Sequence, residues 1–180
     1  MLSEQIDMVE ANLQRLSLQL DDVPVQEVLL CRILLFLGHE MGLMLDHHIR
    51  PYGLNEAEFR VLTALFSQAE HRAHPGALCT RAQQTPANMS RIGDALVNRE
   101  LITRELCAED RRKMVLRITD KGERLVRELL PRMFGATRRT FRDMGAPERQ
   151  QLIDQLKHLA GRLGEVLAEA PPTPVPEKIP

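Results

Sequence analysis

The stretch from residue 25 to residue 49, VQEVLLCRILLFLGHEMGLMLDHHI, is apolar around most of its circumference when it is drawn as an α-helix. Such a helix must be buried on most of its surface. At about 1.5 Å per residue it would be about 37 Å long. A chain of 180 residues has too small a core to surround it. We therefore expect a second subunit to cover much of this helix, which Pro51 and Gly53 should end.

Further helices are predicted at both ends of the chain. Residues 3–20 carry apolar side chains three or four positions apart, which is one stripe of an amphipathic helix. A helix over roughly 120–143 has Thr119 as its N-cap and Pro131 in its interior, and a last helix covers 147–169. The last helix has a seam typical of helix association, at Leu152, Leu156, Leu159, Leu163 and Val166. The tail, residues 171–180, is rich in proline and is expected to be disordered.

The middle of the sequence contains clear helix-start signals. Asn55, with Glu58 three positions later, forms a capping-box pattern that opens a short apolar helix. The stretch AEHRAHPG is predicted to be a loop, from which Pro75 begins another short helix that runs to about Ala82. A turn at residues 83–84 then leads to the helix PANMSRIGDALVNRE. This third helix has good start residues and an inward apolar stripe, at Thr85, Pro86, Met89, Ile92 and Leu96.

Two strand-like runs follow, Leu101–Leu106 and Lys113–Ile118, separated by the polar stretch CAEDRR. In the second run Met114, Leu116 and Ile118 alternate with more polar positions, which is the pattern of a half-buried strand. The order from residue 55 is therefore helix, helix, turn, helix and hairpin. This order predicts an α+β, mostly α, fold with a winged helix-turn-helix domain and a helical module that associates with a partner.

Nucleic acid is the partner that this order favours. The formal net charge is −1, but residues 81–117 contain eight Lys or Arg and five acidic residues, a local basic footprint. The N-terminal end of a helix fits the DNA major groove, and a basic hairpin tip fits the minor groove. The candidate DNA-contacting residues are Thr85, Pro86, Ala87, Asn88, Ser90 and Arg91 on the helix, and Asp110, Arg111, Arg112 and Lys113 on the hairpin tip.

The hairpin also carries a family resemblance. Asp110-Arg111-Arg112, a strand, and then residues 118–122 (Ile-Thr-Asp-Lys-Gly) resemble the wing signature of the MarR family, and residues 88–102 resemble its recognition helix. The resemblance implies that Asp110 orients Arg112 into the minor groove. It implies a homodimeric repressor on a pseudo-palindromic operator. It also implies that 54–119 is the winged helix-turn-helix, that 23–52 and 120–170 are dimerisation helices within a domain 23–170, and that 1–22 is an added amphipathic helix.

Members of the family bind small aromatic acids between the dimerisation helices and the winged domain, so the resemblance also implies an effector. A carboxylate needs a cationic donor and apolar walls. His39, His47 and Arg60 are the candidate donors, and Leu43, Met44 and Phe66 are the candidate walls. The expected ligand is a phenolic acid, a benzoate or a hydroxypyridine carboxylate.

Other functions stay open at this point. Cys31 aligns with the reactive cysteine of peroxide-sensing relatives, but the matching tyrosines are absent, so burial in an apolar core is the favoured interpretation. A non-specific architectural DNA-binding protein and a helical protein-binding adaptor are further alternatives. The sequence has no enzyme motif, cofactor motif or metal-ligand spacing. With no signal peptide and no uninterrupted apolar run of about 18 residues, we expect a cytoplasmic protein without a membrane span.

Overall fold

The structure is a computed structural model that describes residues 2–106 and 114–169. It divides into two compact units, one ending at Met133 and the other beginning at Phe134. The described helices are α1 (Leu2–Ser17), α2 (Val25–Ile49), α3 (Glu56–Phe66), α4 (Pro75–Ala82), α5 (Pro86–Asn98), α6 (Asp120–Thr140) and α7 (Ala146–Glu169). The strands are β1 (Arg72–Ala73), β2 (Ile102–Leu106) and β3 (Met114–Ile118), and single 3-10 turns lie at Arg50–Tyr52 and Ala69–His71.

Helix α2 has the bounds that the sequence predicts, and Gly53 follows it with a φ of 68°. Within one chain α2 is fully buried only at Ile49. Several of its large apolar side chains are exposed, namely Leu30, Leu34, Leu35, Leu37, Met41 and Leu43. Helix α1 packs against α2 and buries Leu13. One chain therefore leaves most of the apolar surface of α2 uncovered.

The helix and its following turn, Val25–Tyr52, are long and apolar enough to cross a membrane by length and composition. Length and composition alone do not make this helix a membrane span, because a helix covered by protein meets the same criterion.

The core of the first unit lies between α3, α4, α5 and the sheet. Its largest fully buried side chains include Leu62, Leu65, Leu78 and Leu96. The predicted capping box at the start of α3 is present, since the Glu58 amide donates to Asn55 Oδ1 at 2.9 Å and the Asn55 amide donates to Glu58 Oε2 at 3.1 Å. These local signals fix where the helices begin, and the apolar stripes then pack the helices on each other.

The sheet has three strands in the order β1-β3-β2, all antiparallel to their neighbours. The two predicted strands are confirmed, but β1 lies inside the stretch that was predicted to be a loop. It pairs Arg72 with Arg117 and Ala73 with Leu116. The alternation predicted for β3 is wrong at its start, because Met114 is exposed whereas Val115 is buried.

Helix α6 begins in close contact with the sheet. Thr119 caps it, since Thr119 Oγ1 accepts a hydrogen bond from the Gly122 amide at 3.1 Å. The Thr119 hydroxyl donates to the Glu100 carbonyl at 2.7 Å, and the Thr119 amide donates to the Leu101 carbonyl at 3.0 Å. A Cβ at Gly122 would lie 2.3 Å from this carbonyl oxygen and 2.7 Å from Ile118 Cγ1. Only glycine fits at this position, because any side chain would push the helix away from the strand.

The second unit contains the end of α6 and helix α7. The predicted helix at 147–169 is confirmed within one residue at its start. Its seam is largely exposed in one chain, at Leu156, Leu159, Leu163 and Val166. The tail beyond residue 169 lies outside the described residues.

Candidate nucleic-acid interface

The N-terminal end of α5 stands free of the core. Thr85 caps the helix, because its hydroxyl accepts from the Asn88 amide at 3.2 Å, and Pro86 takes the first helical position. Met89, Ile92 and Leu96 are buried and fix the inner face of the helix. On the other face the predicted contact residues are exposed or half-buried, namely Thr85, Pro86, Ala87, Asn88, Ser90 and Arg91.

A chain of side-chain hydrogen bonds runs along this exposed face. Asn88 Nδ2 donates to Gln84 Oε1, and Arg91 donates to Asn88 Oδ1 through Nη2 at 2.9 Å and through Nε at 3.3 Å. Asn88 is thus held between its two neighbours, and it holds the guanidinium of Arg91 in place. A positioned guanidinium loses less conformational freedom when it binds an anion or a base edge.

Three other arginines of the predicted basic footprint form contacts within the protein, namely Arg99, Arg104 and Arg117. Arg99 donates to the carbonyls of Tyr52 and Gly53, both at 2.7 Å, and it lies 3.4 Å from Glu58. Arg104 pairs with Asp94 at 2.7 Å. These side chains hold α5 against its surroundings, so they do not add free positive charge.

Arg117 has the same kind of structural role in the sheet. Its Nε donates to Glu105 Oε1 at 3.0 Å across the β2–β3 pair, and its Nη1 donates to the Glu70 carbonyl at 3.0 Å. Glu70 has a φ of 56°, so this arginine ties a left-handed turn to the strands. Within the described part of the footprint, this leaves Arg81 and Arg91 as the exposed cations outside such pairs.

The four hairpin-tip candidates, Asp110, Arg111, Arg112 and Lys113, lie outside the described residues. The last pair of the β2–β3 ladder is Leu106 with Met114. The start of β3 is anchored to α4, because His74 Nδ1 lies 3.1 Å from the Met114 carbonyl oxygen. The described base of the hairpin therefore stays in contact with the helix that precedes α5.

The predicted effector residues do not all line one cavity. His39, Leu43 and His47 are exposed on α2, and Met44 is half-buried there. Arg60 donates to Glu56 and to Gln83, both at 2.6 Å. It lines a cavity of about 560 Å³ whose other lining residues come from α3, α5 and the turn between α4 and α5. The α2 candidates are not part of that lining.

Phe66 contributes to a charged cluster that the sequence did not indicate. It packs against His71, with 5.1 Å between ring centroids, and the Arg127 guanidinium lies 5.2 Å from the Phe66 centroid. Glu123 accepts hydrogen bonds from Arg127 at 2.8 Å and pairs with His71 at 2.6 Å. The bond from Arg127, followed by that from His71, lowers the pKa of Glu123.

Cys31 is exposed on α2, so the expectation that it lies in an apolar core is wrong for a single chain. Among the residues that the structure describes, no three His, Cys, Asp or Glu side chains form a group that could hold a metal ion.

The helix pair α4–α5, braced by α3 and followed by the small sheet, defines a winged helix-turn-helix protein. The comparisons with known proteins agree with this class. The sequence model of the MarR family matches residues 54–114. The transcriptional repressor MprA of Escherichia coli K12 is 30% identical over 146 residues, which are 81% of this chain and 83% of MprA.

Two solved structures have the same fold. AbsC, a MarR family transcriptional regulator from Streptomyces coelicolor, has a TM-score of 0.70 at 27% identity and covers 81% of this chain and 97% of its own. BpsR of Bordetella bronchiseptica, whose DNA binding is regulated by 6-hydroxynicotinic acid, has a TM-score of 0.63 at 23% identity and covers 72% of this chain and 91% of its own. The chain belongs to the MarR family and is a DNA-binding transcriptional regulator.

Proposed function

We propose that the protein is a ligand-responsive transcriptional repressor that binds a pseudo-palindromic operator as a homodimer and is released by a small aromatic acid. The observation that carries this proposal is the exposed start of α5, where Asn88 holds the Arg91 guanidinium beside the free helix end. A helix end of this kind matches the major groove, and its first free backbone amides can donate hydrogen bonds to a phosphate.

The proposed homodimer rests on apolar surface. The large apolar side chains of α2 and of the α7 seam are exposed in one chain, and contiguous exposed apolar surface of this kind marks protein–protein interfaces. We assign 23–52 and 120–170 to dimerisation and 54–119 to DNA binding, with the helix of 1–22 as an addition to the dimerisation surface. A two-fold axis would place two α5 helices about one DNA turn apart.

The proposed DNA contacts are those of α5 together with the hairpin tip, where Asp110 would orient Arg112 and where Arg111 and Lys113 would neutralise phosphates. Since Arg99, Arg104 and Arg117 are engaged inside the protein, Arg81, Arg91 and the tip would carry most of the footprint's charge that DNA meets. Operator binding should therefore depend strongly on a few cations.

The proposed effector is a phenolic acid, a benzoate or a hydroxypyridine carboxylate, bound by His39, Leu43, Met44, His47, Arg60 and Phe66. The 6-hydroxynicotinic acid named for BpsR belongs to this chemical class. Release would follow if the ligand binds better to a dimer whose α5 helices are wrongly spaced for DNA.

A gel-shift titration with the promoter beside the protein's own gene tests DNA binding. We expect a tight complex that survives an excess of random DNA, and Arg112→Ala should abolish it while the dimer stays folded. Equal competition by random DNA would support an architectural protein instead. A thermal-shift screen of aromatic acids, followed by gel shifts, tests the effector. An acid that binds but leaves operator affinity unchanged is not an inducer.

A second candidate mechanism, thiol-based sensing of peroxide, is favoured by the exposed position of Cys31. Treatment with an organic peroxide would then release DNA from the wild-type protein but not from Cys31→Ser. Release of both proteins, or of neither, would remove this candidate.

A further inference from the structure

We propose that Arg91 reads a guanine in each operator half-site, and that Gln84 is a positioning residue that sets this preference by acting through Arg91. The inference rests on the proposed function, because it requires α5 to lie in the major groove. The observation that carries it is a series of side-chain hydrogen bonds, here called the amide relay, which leads from the Ala82 carbonyl through Gln84 and Asn88 to Arg91.

The amide relay begins at Gln84, just after the end of α4. The Gln84 backbone amide donates to the Cys79 carbonyl at 2.8 Å, so α4 fixes the position of this residue. Its side-chain Nε2 donates to the Ala82 carbonyl at 3.0 Å, and its Oε1 accepts from Asn88 Nδ2. Both Gln84 and Asn88 are half-buried, so water competes less for these bonds than it would on an open surface. The Gln84 side chain thus ties the first turn of α5 to the end of α4.

The two ends of the amide relay determine the direction of every bond in it. A guanidinium only donates, and a backbone carbonyl only accepts. Asn88 must therefore turn its Oδ1 toward Arg91, which leaves its Nδ2 to face Gln84. Gln84 must then present Oε1 to Asn88 and donate through Nε2 to the Ala82 carbonyl. Turning either amide over would place two donors or two acceptors against each other, so the relay has one stable arrangement.

This arrangement decides which donors of Arg91 stay free. A guanidinium has five N–H groups in a planar fork. The Nε hydrogen and one Nη2 hydrogen of Arg91 are donated to Asn88 Oδ1, at 3.3 and 2.9 Å. Both Nη1 hydrogens and the second Nη2 hydrogen remain, and they form the outer edge of the fork. Two parallel donors match the O6 and N7 acceptors of guanine, whereas adenine presents N7 beside an amino group that is itself a donor.

Asn88 has less freedom to read a base than Arg91 has. Its Oδ1 already accepts two hydrogen bonds, and one of its two Nδ2 hydrogens is donated to Gln84. A paired contact with adenine needs a free acceptor as well as a free donor, so Asn88 would have to leave the relay to make it. The bond to Asn88, three positions earlier, also holds the Arg91 guanidinium over the first turn of α5, which is the end of a reading helix that faces the bases. The amide relay therefore favours guanine over adenine.

The test begins with the selection of bound duplexes from a random library by the full-length protein, which defines the half-site. In each half-site we expect one guanine at which replacement of the G·C pair by A·T weakens wild-type binding by at least about tenfold. At the same position 7-deazaguanine, which lacks only the N7 acceptor, should weaken binding by about fivefold or more. This analogue keeps the base pair, so a preference that depends on DNA shape alone does not respond to it.

Protein variants then assign this preference to the amide relay. Arg91→Ala should discriminate between G·C and A·T at that position by less than about twofold. Gln84→Met keeps the length of the side chain without its hydrogen bonds, and it should reduce the discrimination by at least about threefold. Gln83→Met is the matched control, because the Gln83 side chain accepts from Arg60 and is not part of the relay; discrimination should stay within about twofold of wild type. The double variant of Gln84→Met with Arg91→Ala should discriminate as Arg91→Ala does, a result that general damage to the fold would not give.

The outcomes separate this inference from the proposed function. A selected operator at which Arg91→Ala keeps the wild-type preference for every guanine overturns the inference and leaves the proposed repressor intact. The role of Gln84 is refuted if Gln84→Met discriminates as the wild type does, or if Gln83→Met loses as much discrimination. If the library yields no preferred duplex, sequence-specific DNA binding itself is refuted, and the inference fails with it.

Discussion

A methyl group at Gly122 should destabilise the protein although it favours the helix locally. The added Cβ would lie 2.3 Å from the Leu101 carbonyl oxygen and 2.7 Å from Ile118 Cγ1, and the first of these is backbone that has little freedom to move. Forcing such contacts apart costs about 1–3 kcal/mol. The Leu101 carbonyl also accepts a hydrogen bond from the Thr119 amide, and the loss of this bond costs about 1 kcal/mol. Against these losses, alanine favours the helical conformation over glycine by about 1 kcal/mol. The expected net loss for Gly122→Ala is about 2 kcal/mol.

Urea unfolding at fixed protein concentration, followed by far-ultraviolet circular dichroism, measures this loss. Gly76→Ala is the matched control, because this glycine also lies in the first turn of a helix and a Cβ there meets no atom within 4 Å. The control should unfold at the same urea concentration as wild type or at a slightly higher one. The reasoning fails if the two alanine variants have unfolding free energies within about 0.5 kcal/mol of each other.

Three further predictions follow from single contacts. Arg91→Ala should weaken operator binding by about tenfold or more and reduce the salt dependence of binding by about one unit in a gel-shift series, whereas Arg162→Ala on α7 should leave both unchanged. Arg99→Ala should lower the free energy of unfolding by about 2 kcal/mol, because two carbonyls lose a charged donor and the buried Glu58 loses its partner; urea unfolding at neutral pH measures it. Glu123 has a lowered pKa in the folded protein, so its contribution to stability is present above the usual pKa of a glutamate and is lost as the pH falls through the folded-state pKa. In urea unfolding across the acid range, Glu123→Gln should therefore lose less stability than wild type as the pH falls.

Local signals in the sequence predicted most helix boundaries. Asn55, Pro75 and Thr85 each satisfy backbone groups or set a backbone angle within three residues, so their effect is readable without the rest of the fold. Strand β1 could not be predicted in this way. It has two residues, Arg72 and Ala73, and it exists only because β3 lies beside it after forty intervening residues. Its pairing is thus a tertiary contact, and the surrounding polar sequence is typical of a loop.

The exposure of Cys31 also depends on something beyond the chain. An apolar sequence predicts burial, but it does not say whether the same chain or another copy supplies the cover. In one chain the thiol lies on an uncovered face of α2. The reactivity of this thiol therefore depends on whether the proposed dimer interface covers it. The rate at which a thiol reagent labels Cys31, measured at several protein concentrations, tests this dependence.

Contacts between side chains leave less free positive charge in this segment than its sequence suggests. Residues 81–117 contain eight Lys or Arg and five acidic residues, and Arg99, Arg104 and Arg117 each have an acidic partner supplied by a different element. Pairing of this kind is invisible in the sequence because the partners are up to forty-one positions apart. These ion pairs give the three arginines a structural role, because they hold α5 and the hairpin base against the core. A substitution at Arg104 would then disturb DNA binding by moving α5, with a loss of folding stability, whereas a substitution at Arg91 would disturb binding alone. Measuring both quantities for both variants separates a cation that positions the reading helix from one that meets DNA.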